Sequence, residues 1–315
     1  MAAPLAYVDG EYVSESEATV PLTDPGFRWG YNVYDVLRTF DGEPFKLDAH
    51  VDRLFDSCRS VHIDMHLSKE RVREIIRTVL DAKVQTLPSE SDAMAYITVS
   101  GAWGVHDGFR EEDPRVVVAA YEIPFAKNAT KYLTGGHLVT TGVRQLSAES
   151  VSPRIKHQSR LHFVLADREA KRVDPDGEPL VLDREGYVAE MKHANVFAVT
   201  DGVIQTPPVT RVLPGISRDV VFELAEELGL PVEEADLQLH DLMLADELFY
   251  TNTTQFATPI TKLDETPVGD GQPGPVTEQL LTALSDRVDR DIVAQFLHHL
   301  PPEKQPAKLQ YGYES

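Results

Sequence analysis

The sequence predicts an α+β chain in two domains, and three observations lead there. Alternating apolar and polar residues joined by Asp-Gly pairs mark strands and hairpins. Apolar residues three and four apart mark helices between them. A polar, proline-containing change of character falls over residues 126–136 and ends in Gly135-Gly136, as a linker does. The expected division is a small α+β domain over 1–125, a linker over 126–136, a larger domain over 137–290, and a C-terminal helix and tail over 291–315.

The elements follow in chain order. Ala6 to Val13 reads as a hairpin turning at Asp9-Gly10, and Asn32 to Phe40 with Asp41-Gly42 repeats that pattern. From Asp48 to His62, Val51, Leu54, Phe55 and Cys58 fall at helical spacing. Ser68 caps a second helix carrying Val72, Ile75, Ile76, Val79 and Leu80. Strands are expected at Ala93 to Ser100 and Arg115 to Tyr121. Beyond the linker come a strand at His137 to Gly142, a helix at Ser159 to Arg172, and strands at Pro179 to Asp183 and Asn195 to Thr200. A turn at Asp201-Gly202, a helix at Ser217 to Leu228, and strands near Val232 and from Glu247 to Thr251 complete the second domain.

Bulk properties limit the function. The 315 residues are 42% hydrophobic, enough for a large core without disulfides. Cys58 is the single cysteine, which rules out an intramolecular disulfide and a cysteine-rich metal site; no metal is expected. The N-terminus has no signal-peptide pattern and no stretch has the length of a membrane span, so a soluble cytoplasmic protein is expected. With 51 acidic against 30 basic residues the net charge is −21, which argues against nucleic-acid and membrane partners. That charge suits a high-salt cytoplasm and an ordinary acidic enzyme equally.

Three segments carry chemistry. The first is Ser152 to Arg160, in which Arg154, His157 and Arg160 surround Lys156; an amine buried beside cations loses basicity and becomes a nucleophile. The second is Glu190-Met191-Lys192-His193-Ala194-Asn195-Val196-Phe197, a carboxylate between two strands. The third, Leu213-Pro214-Gly215-Ile216-Ser217, is a turn opening a helix whose amides favour an anion. Taken singly, each is more often a surface lysine, a solvated glutamate or a plain helix cap.

In this order the segments resemble the active-site signature of the class IV (fold type IV) pyridoxal-phosphate aminotransferases, which include branched-chain and D-amino-acid aminotransferases. The resemblance runs from about Tyr7 to about Leu284. It implies a two-domain fold type IV enzyme, with a small N-terminal α/β domain and a larger β-rich C-terminal α/β domain, and pyridoxal 5'-phosphate as cofactor. By resemblance Lys156 is the Schiff-base lysine and Glu190 the partner of the pyridine nitrogen. Leu213 would lie against the ring, while Gly215, Ile216, Ser217, Asn252, Thr253 and Arg53 would bind the phosphate. Lys192 and His193 stand where relatives usually have small residues.

The substrate side is less decided. Trp29, Tyr34, Val36 and Arg38 occupy positions that line the family's pocket, and Arg38 favours a carboxylate-bearing substrate, although an arginine snorkelling from a strand edge fits equally. Branched-chain enzymes usually carry Tyr then Arg two residues on, whereas this chain has Tyr96 and Thr98; the tyrosine they place five residues after the lysine is Leu161 here. D-amino-acid enzymes carry an Arg-x-His trap, whereas this chain has His106 and Arg110. Backbone amides near Thr254 are a further candidate.

The expected activity is therefore transfer of an amino group from an α-amino acid, branched-chain-like L-amino acids first, to 2-oxoglutarate or another 2-oxo acid. D-amino-acid transamination, (R)-amine transamination and aminodeoxychorismate lyase chemistry are alternatives, and a cofactor-free binding protein is the reading from another class. The resemblance also implies a homodimer, with the loop Trp103 to His106 crossing to the neighbour.

Overall fold

The computed structural model describes residues 5–102 and 113–306. It divides into a first unit that ends at Ile123 and takes in Ile155–Arg160, and a second made of Pro124–Arg154 and the residues from Leu161 onward.

The first unit contains β1 (Leu5–Val8), β2 (Glu11–Ser14), α1 (Pro25–Trp29), β3 (Asn32–Phe40), β4 (Glu43–Pro44), α2 (Leu47–Ser60), α3 (Lys69–Val84), β5 (Ala93–Ser100) and β6 (Arg115–Glu122). Its six strands run in the order β2-β1-β6-β5-β3-β4. Both expected hairpins form: Asp9-Gly10 and Asp41-Gly42 adopt positive φ at both positions, which matches the right-handed twist of the strands they join. Ser68 caps α3 by accepting from the Arg71 amide at 3.2 Å. Val51, Leu54 and Cys58 of α2 and Val72, Ile75, Ile76, Val79 and Leu80 of α3 pack on Val33, Leu37, Ala95, Ile97 and Val99 of the sheet. Each such aliphatic side chain contributes roughly 1.5–3 kcal/mol by leaving water.

The second unit contains α4 (Phe125–Asn128), α5 (Lys131–Thr134), β7 (Gly136–Arg144), α6 (Leu161–Val173), β8 (Glu178–Leu182), β9 (Val188–Met191), β10 (Asn195–Thr200), β11 (Val203–Thr206), α7 (Ile216–Leu228), β12 (Val232–Glu234), α8 (Leu239–Leu244), β13 (Glu247–Asn252), β14 (Phe256–Leu263), β15 (Thr266–Pro267), α9 (Pro275–Arg287) and α10 (Ile292–His298). Its strands run β12-β11-β10-β13-β14-β7-β8-β9, with β15 on β14. β9 also pairs with β10 at Glu190↔Asn195, so β10, β13, β14, β7, β8 and β9 close into a ring. Leu138, Leu180, Val188, Val196, Leu248 and Ile260 belong to the apolar core of this unit.

Several elements differ from expectation. The stretch 126–136 carries α4 and α5, and Phe125 and Tyr132 bury their rings 4.8 and 5.0 Å from Phe296. The helix expected from Ser159 begins at Leu161, because Ser159 instead donates through Oγ to the Gly30 carbonyl at 2.9 Å. α1, β11, α8, β14 and α9 have no counterpart in the elements read from the sequence. Among the described residues, no helix is long and apolar enough to cross a membrane.

Candidate active site

The first unit holds Lys156. Residues 155–158 lie along the edge of β3: His157 bridges Val33, and the Lys156 carbonyl accepts from the Tyr34 amide at 2.9 Å. The Lys156 amide donates to Ser57 Oγ of α2 at 3.2 Å. Both backbone groups of the lysine are thus held, and its Nζ lies 4.8 Å from the centre of the Tyr34 ring. Burial, with Arg160 adding, lowers the pKa of the adjacent His157 below the ordinary imidazole value.

Strand alternation explains the surrounding residues. Tyr34, Val36 and Arg38 share one face of β3, and Tyr96 and Thr98 share that face of β5 through the pairs Tyr34↔Thr98 and Val36↔Tyr96. Tyr34 and Tyr96 stack 5.1 Å apart. Burial, with Tyr34 adding, raises the Tyr96 hydroxyl well above its usual pKa, so it stays protonated. Gln158 donates through Nε2 to Thr98 Oγ1 at 3.2 Å and to Tyr96 Oη at 3.4 Å, and its carbonyl accepts from Asn32 at 2.9 Å.

Arg38 departs from its expected place in the pocket. Its buried guanidinium donates to the Thr39 carbonyl at 2.9 Å, lies 3.6 Å from Asp92 and 3.8 Å from the Phe40 ring centre. These are the partners of a core arginine. Trp29 is exposed beside Arg28, while His106, Arg110 and the loop from Trp103 lie outside the described residues.

On the opposite face of β3, Asp35 falls in phase with Val33 and Leu37 and is fully enclosed. Arg53 of α2 donates to both its oxygens, and His50 Nδ1 lies 2.7 Å from Oδ1. Burial alone would raise the Asp35 carboxyl, but Arg53 and then His50 outweigh it and hold it far below the usual range. Burial lowers His50 against the pull of Asp35, and Arg53 and Lys156 lower it further, so His50 is neutral near pH 7.

The second unit holds the remaining candidates. Glu190 is buried at the end of β9 and accepts from Gln145 Nε2 at 2.6 Å. Lys192 and His193 form the tip of the β9–β10 turn, with Lys192 3.2 Å from Asp167 and His193 exposed. Gly215 stands at the start of α7, which has no side-chain cap. The Asn195 side chain donates to the Leu213 carbonyl at 3.0 Å, and any Cβ at Gly215 would collide with Asn195 Oδ1. Ile216 is buried, and Ser217 Oγ donates to the Asn252 carbonyl at 3.0 Å, tying α7 to the end of β13. Asn252 Oδ1 accepts from the Thr254 and Gln255 amides at 3.1 and 2.8 Å, folding Thr253 into a tight loop.

These residues suit a phosphate. The first turn of α7 presents amides that no side chain caps, and only a glycine clears Asn195 at its head. Among the described residues, no cluster of three or more His, Cys, Asp or Glu could hold a metal.

Asp35, His50, Gln145, Gln158 and His162 are additions that sequence reasoning missed. For Asp35 and His50 a signal exists, since each is a polar residue in the apolar phase of its own element, which demands a buried partner. Gln145 and His162 have no local signal.

The class IV amino-transferase family matches residues 32–263, and the chain belongs to that family and is an aminotransferase. It is 36% identical over 286 residues to a Methanocaldococcus jannaschii protein with a provisional branched-chain-amino-acid aminotransferase name, covering 89% of this chain and 95% of that one. It is 32% identical over 286 residues to the D-alanine aminotransferase of Listeria monocytogenes, covering 90% and 96%. Among solved structures, the branched-chain amino acid aminotransferase from Escherichia coli matches with a TM-score of 0.78 at 28% identity, over 90% of this chain and 93% of that one. Class IV aminotransferases use pyridoxal phosphate, and the expected fold type is the one these structures carry.

Proposed function

We propose that this chain uses pyridoxal 5'-phosphate to transfer the amino group of an α-amino acid, with branched-chain-like L-amino acids first, to 2-oxoglutarate or another 2-oxo acid. The observation that carries the reading is Lys156, pinned at its amide by Ser57 and at its carbonyl by Tyr34. When bound, the cofactor supplies an aldehyde for an amine and a ring that accepts electrons from the substrate Cα. Lys156 Nζ would hold the group through that aldehyde and, once displaced by the substrate amine, would carry the proton between the substrate Cα and the former aldehyde carbon. The Glu190 carboxylate would accept a hydrogen bond from the protonated ring nitrogen, and Leu213 would pack on the ring. The phosphate-holding roles would fall to Arg53 in the first unit and, in the second, to the α7 amides from Ile216, Ser217 and the loop Asn252 to Thr254.

On the substrate side, Tyr34, Val36, Tyr96 and Thr98 line one sheet face. Arg38 serves the core through Asp92. A D-amino acid is the second reading, favoured by the similarity to the Listeria D-alanine aminotransferase. The chain acts in the cytoplasm as a homodimer: Leu161, Val164 and Leu165 present an exposed apolar stripe on α6, as a subunit interface does.

The test is borohydride reduction of the holoenzyme followed by peptide mapping, with half-reaction spectra for L-leucine, L-valine, D-alanine and (R)-1-phenylethylamine. The adduct is expected on the peptide carrying Lys156, and L-leucine is expected to bleach the cofactor band fastest. Faster bleaching by D-alanine installs the second reading. Retention of the adduct in Lys156→Ala overturns the assignment of the lysine.

A further inference from the structure

Gln145 follows directly on β7, and its amide donates to the Leu182 carbonyl of β8 at 2.9 Å, so its position is set by the ring of strands. Its side chain is buried, with Nε2 2.6 Å from Glu190 Oε1 and Oε1 3.1 Å from His162 Nε2. The direction of this chain follows from the inventory of donors and acceptors. An ionised carboxylate only accepts, so the amide nitrogen of Gln145 faces Glu190. The amide oxygen then faces His162, and an oxygen only accepts, so His162 carries its proton on Nε2. The sequence His162 Nε2–H to Gln145 to Glu190 is therefore polarised toward the carboxylate at each step.

We infer that Gln145, held by His162, is the positioning residue that keeps the Glu190 carboxylate ionised and aimed. This inference rests on the reading of Glu190 as the partner of the ring nitrogen. A buried carboxylate without donors is driven toward its neutral form, and a neutral acid in this place would leave the ring nitrogen without its anion. Gln145 supplies a donor without a countercharge. An arginine or lysine here would pair the carboxylate and compete for it; an amide orients it and leaves its charge for the ring. His162 stops the amide from turning over, since a flipped Gln145 would set its oxygen against a carboxylate oxygen.

The experiment uses the holoenzyme carrying ring-¹⁵N pyridoxamine 5'-phosphate and reads three quantities: the ¹⁵N shift of the ring nitrogen, the dissociation constant of the cofactor, and kcat and KM of the half-reaction. Glu190→Gln is the reference and moves the shift toward a neutral pyridine; an unmoved shift there defeats the reading of Glu190 itself, and this inference with it. Given that reference, Gln145→Leu is expected to move the shift in the same direction and to lower kcat about tenfold with KM nearly unchanged, as loss of one hydrogen bond to a charged group does. His162→Phe moves the shift less, and His162→Gln, which keeps a donor, restores it. A Gln145→Leu enzyme with the parent shift and the parent kcat overturns the inference. Should Gln145→Leu fail to fold, a parent shift and parent kcat in His162→Phe overturn it in the same way.

Discussion

Arg53 grips Asp35 through two hydrogen bonds, Nε to Oδ2 at 2.9 Å and Nη2 to Oδ1 at 2.8 Å, where α2 crosses the buried face of β3. The guanidinium proposed to meet the cofactor phosphate is thereby held from behind by a residue on a strand. A fork seated on a carboxylate keeps one plane, so Arg53 meets an anion already oriented.

Removing one partner of this pair leaves a buried charge alone. Asp35→Asn is expected to cost about 3–5 kcal/mol of stability, whereas Asp35→Asn with Arg53→Met is expected to cost less than the single change. Urea denaturation of the two single variants and the double variant checks this. A double variant as destabilised as Asp35→Asn alone, or more so, would contradict it. Cofactor affinity, measured by dialysis, should fall in both single variants.

Acid should unfold the protein in two stages, and the signs follow from direction. His50 has its folded pKa lowered from 6.5, so below that pH the unfolded chain takes up a proton that the native state refuses, and stability begins to fall. Asp35 has its folded pKa lowered from 3.8, so its contribution is whole above that pH and is lost as pH drops further. Each group adds a slope of about 1.4 kcal/mol per pH unit while its proton uptake differs between the two states. Denaturation midpoints across pH should show a second fall in the parent that Asp35→Asn lacks. An identical acid limb in both would refute the assignment to Asp35.

Arg38→Ala should behave as a core lesion. It removes the cation beside Asp92, which keeps the Thr39 hydroxyl and the Gly42 amide as donors, and the cation over Phe40, so thermal stability should drop by about 3–5 kcal/mol, the cost of breaking a buried ion pair from one side. Amino-acid and amine donors should lose activity to the same degree. A KM that rises sharply for amino acids alone would return Arg38 to the substrate carboxylate.

Gly215→Ala should displace the start of α7, because the added methyl runs into the Asn195 side chain that holds the Leu213 carbonyl. Cofactor affinity is expected to fall roughly tenfold to a hundredfold, equivalent to about 1.4–2.8 kcal/mol, with smaller change in overall stability. Equilibrium dialysis against pyridoxal phosphate, beside a melting curve, separates the two effects.

Much of the fold can be read from the chain where local chemistry decides it. Asp9-Gly10, Asp41-Gly42 and Asp201-Gly202 all adopt the positive φ that two-residue hairpins require, which sets the register of their strands. β14 escapes because Phe256–Leu263 is buried on both faces except at Lys262, so alternation is missing. α9 escapes because its first amides are capped from a distance, Glu247 accepting from Val276 at 2.8 Å and Thr277 at 3.0 Å. The same divide runs through the site. Lys156 and Gly215 announce themselves by neighbours in sequence, whereas Gln145 meets Glu190 across 45 residues, only after six strands close.

That closure has a consequence for how the enzyme dies. Glu190 and Asn195 are the rung at which β9 returns to β10, and a strand displaced by one residue turns every side chain to the other face. With Gln145 and His162 in place, the carboxylate keeps its bearing while the ring stays shut and loses it once the ring opens. Heat or denaturant therefore leaves no intact but misaimed population behind, and remaining activity counts molecules rather than grading their quality.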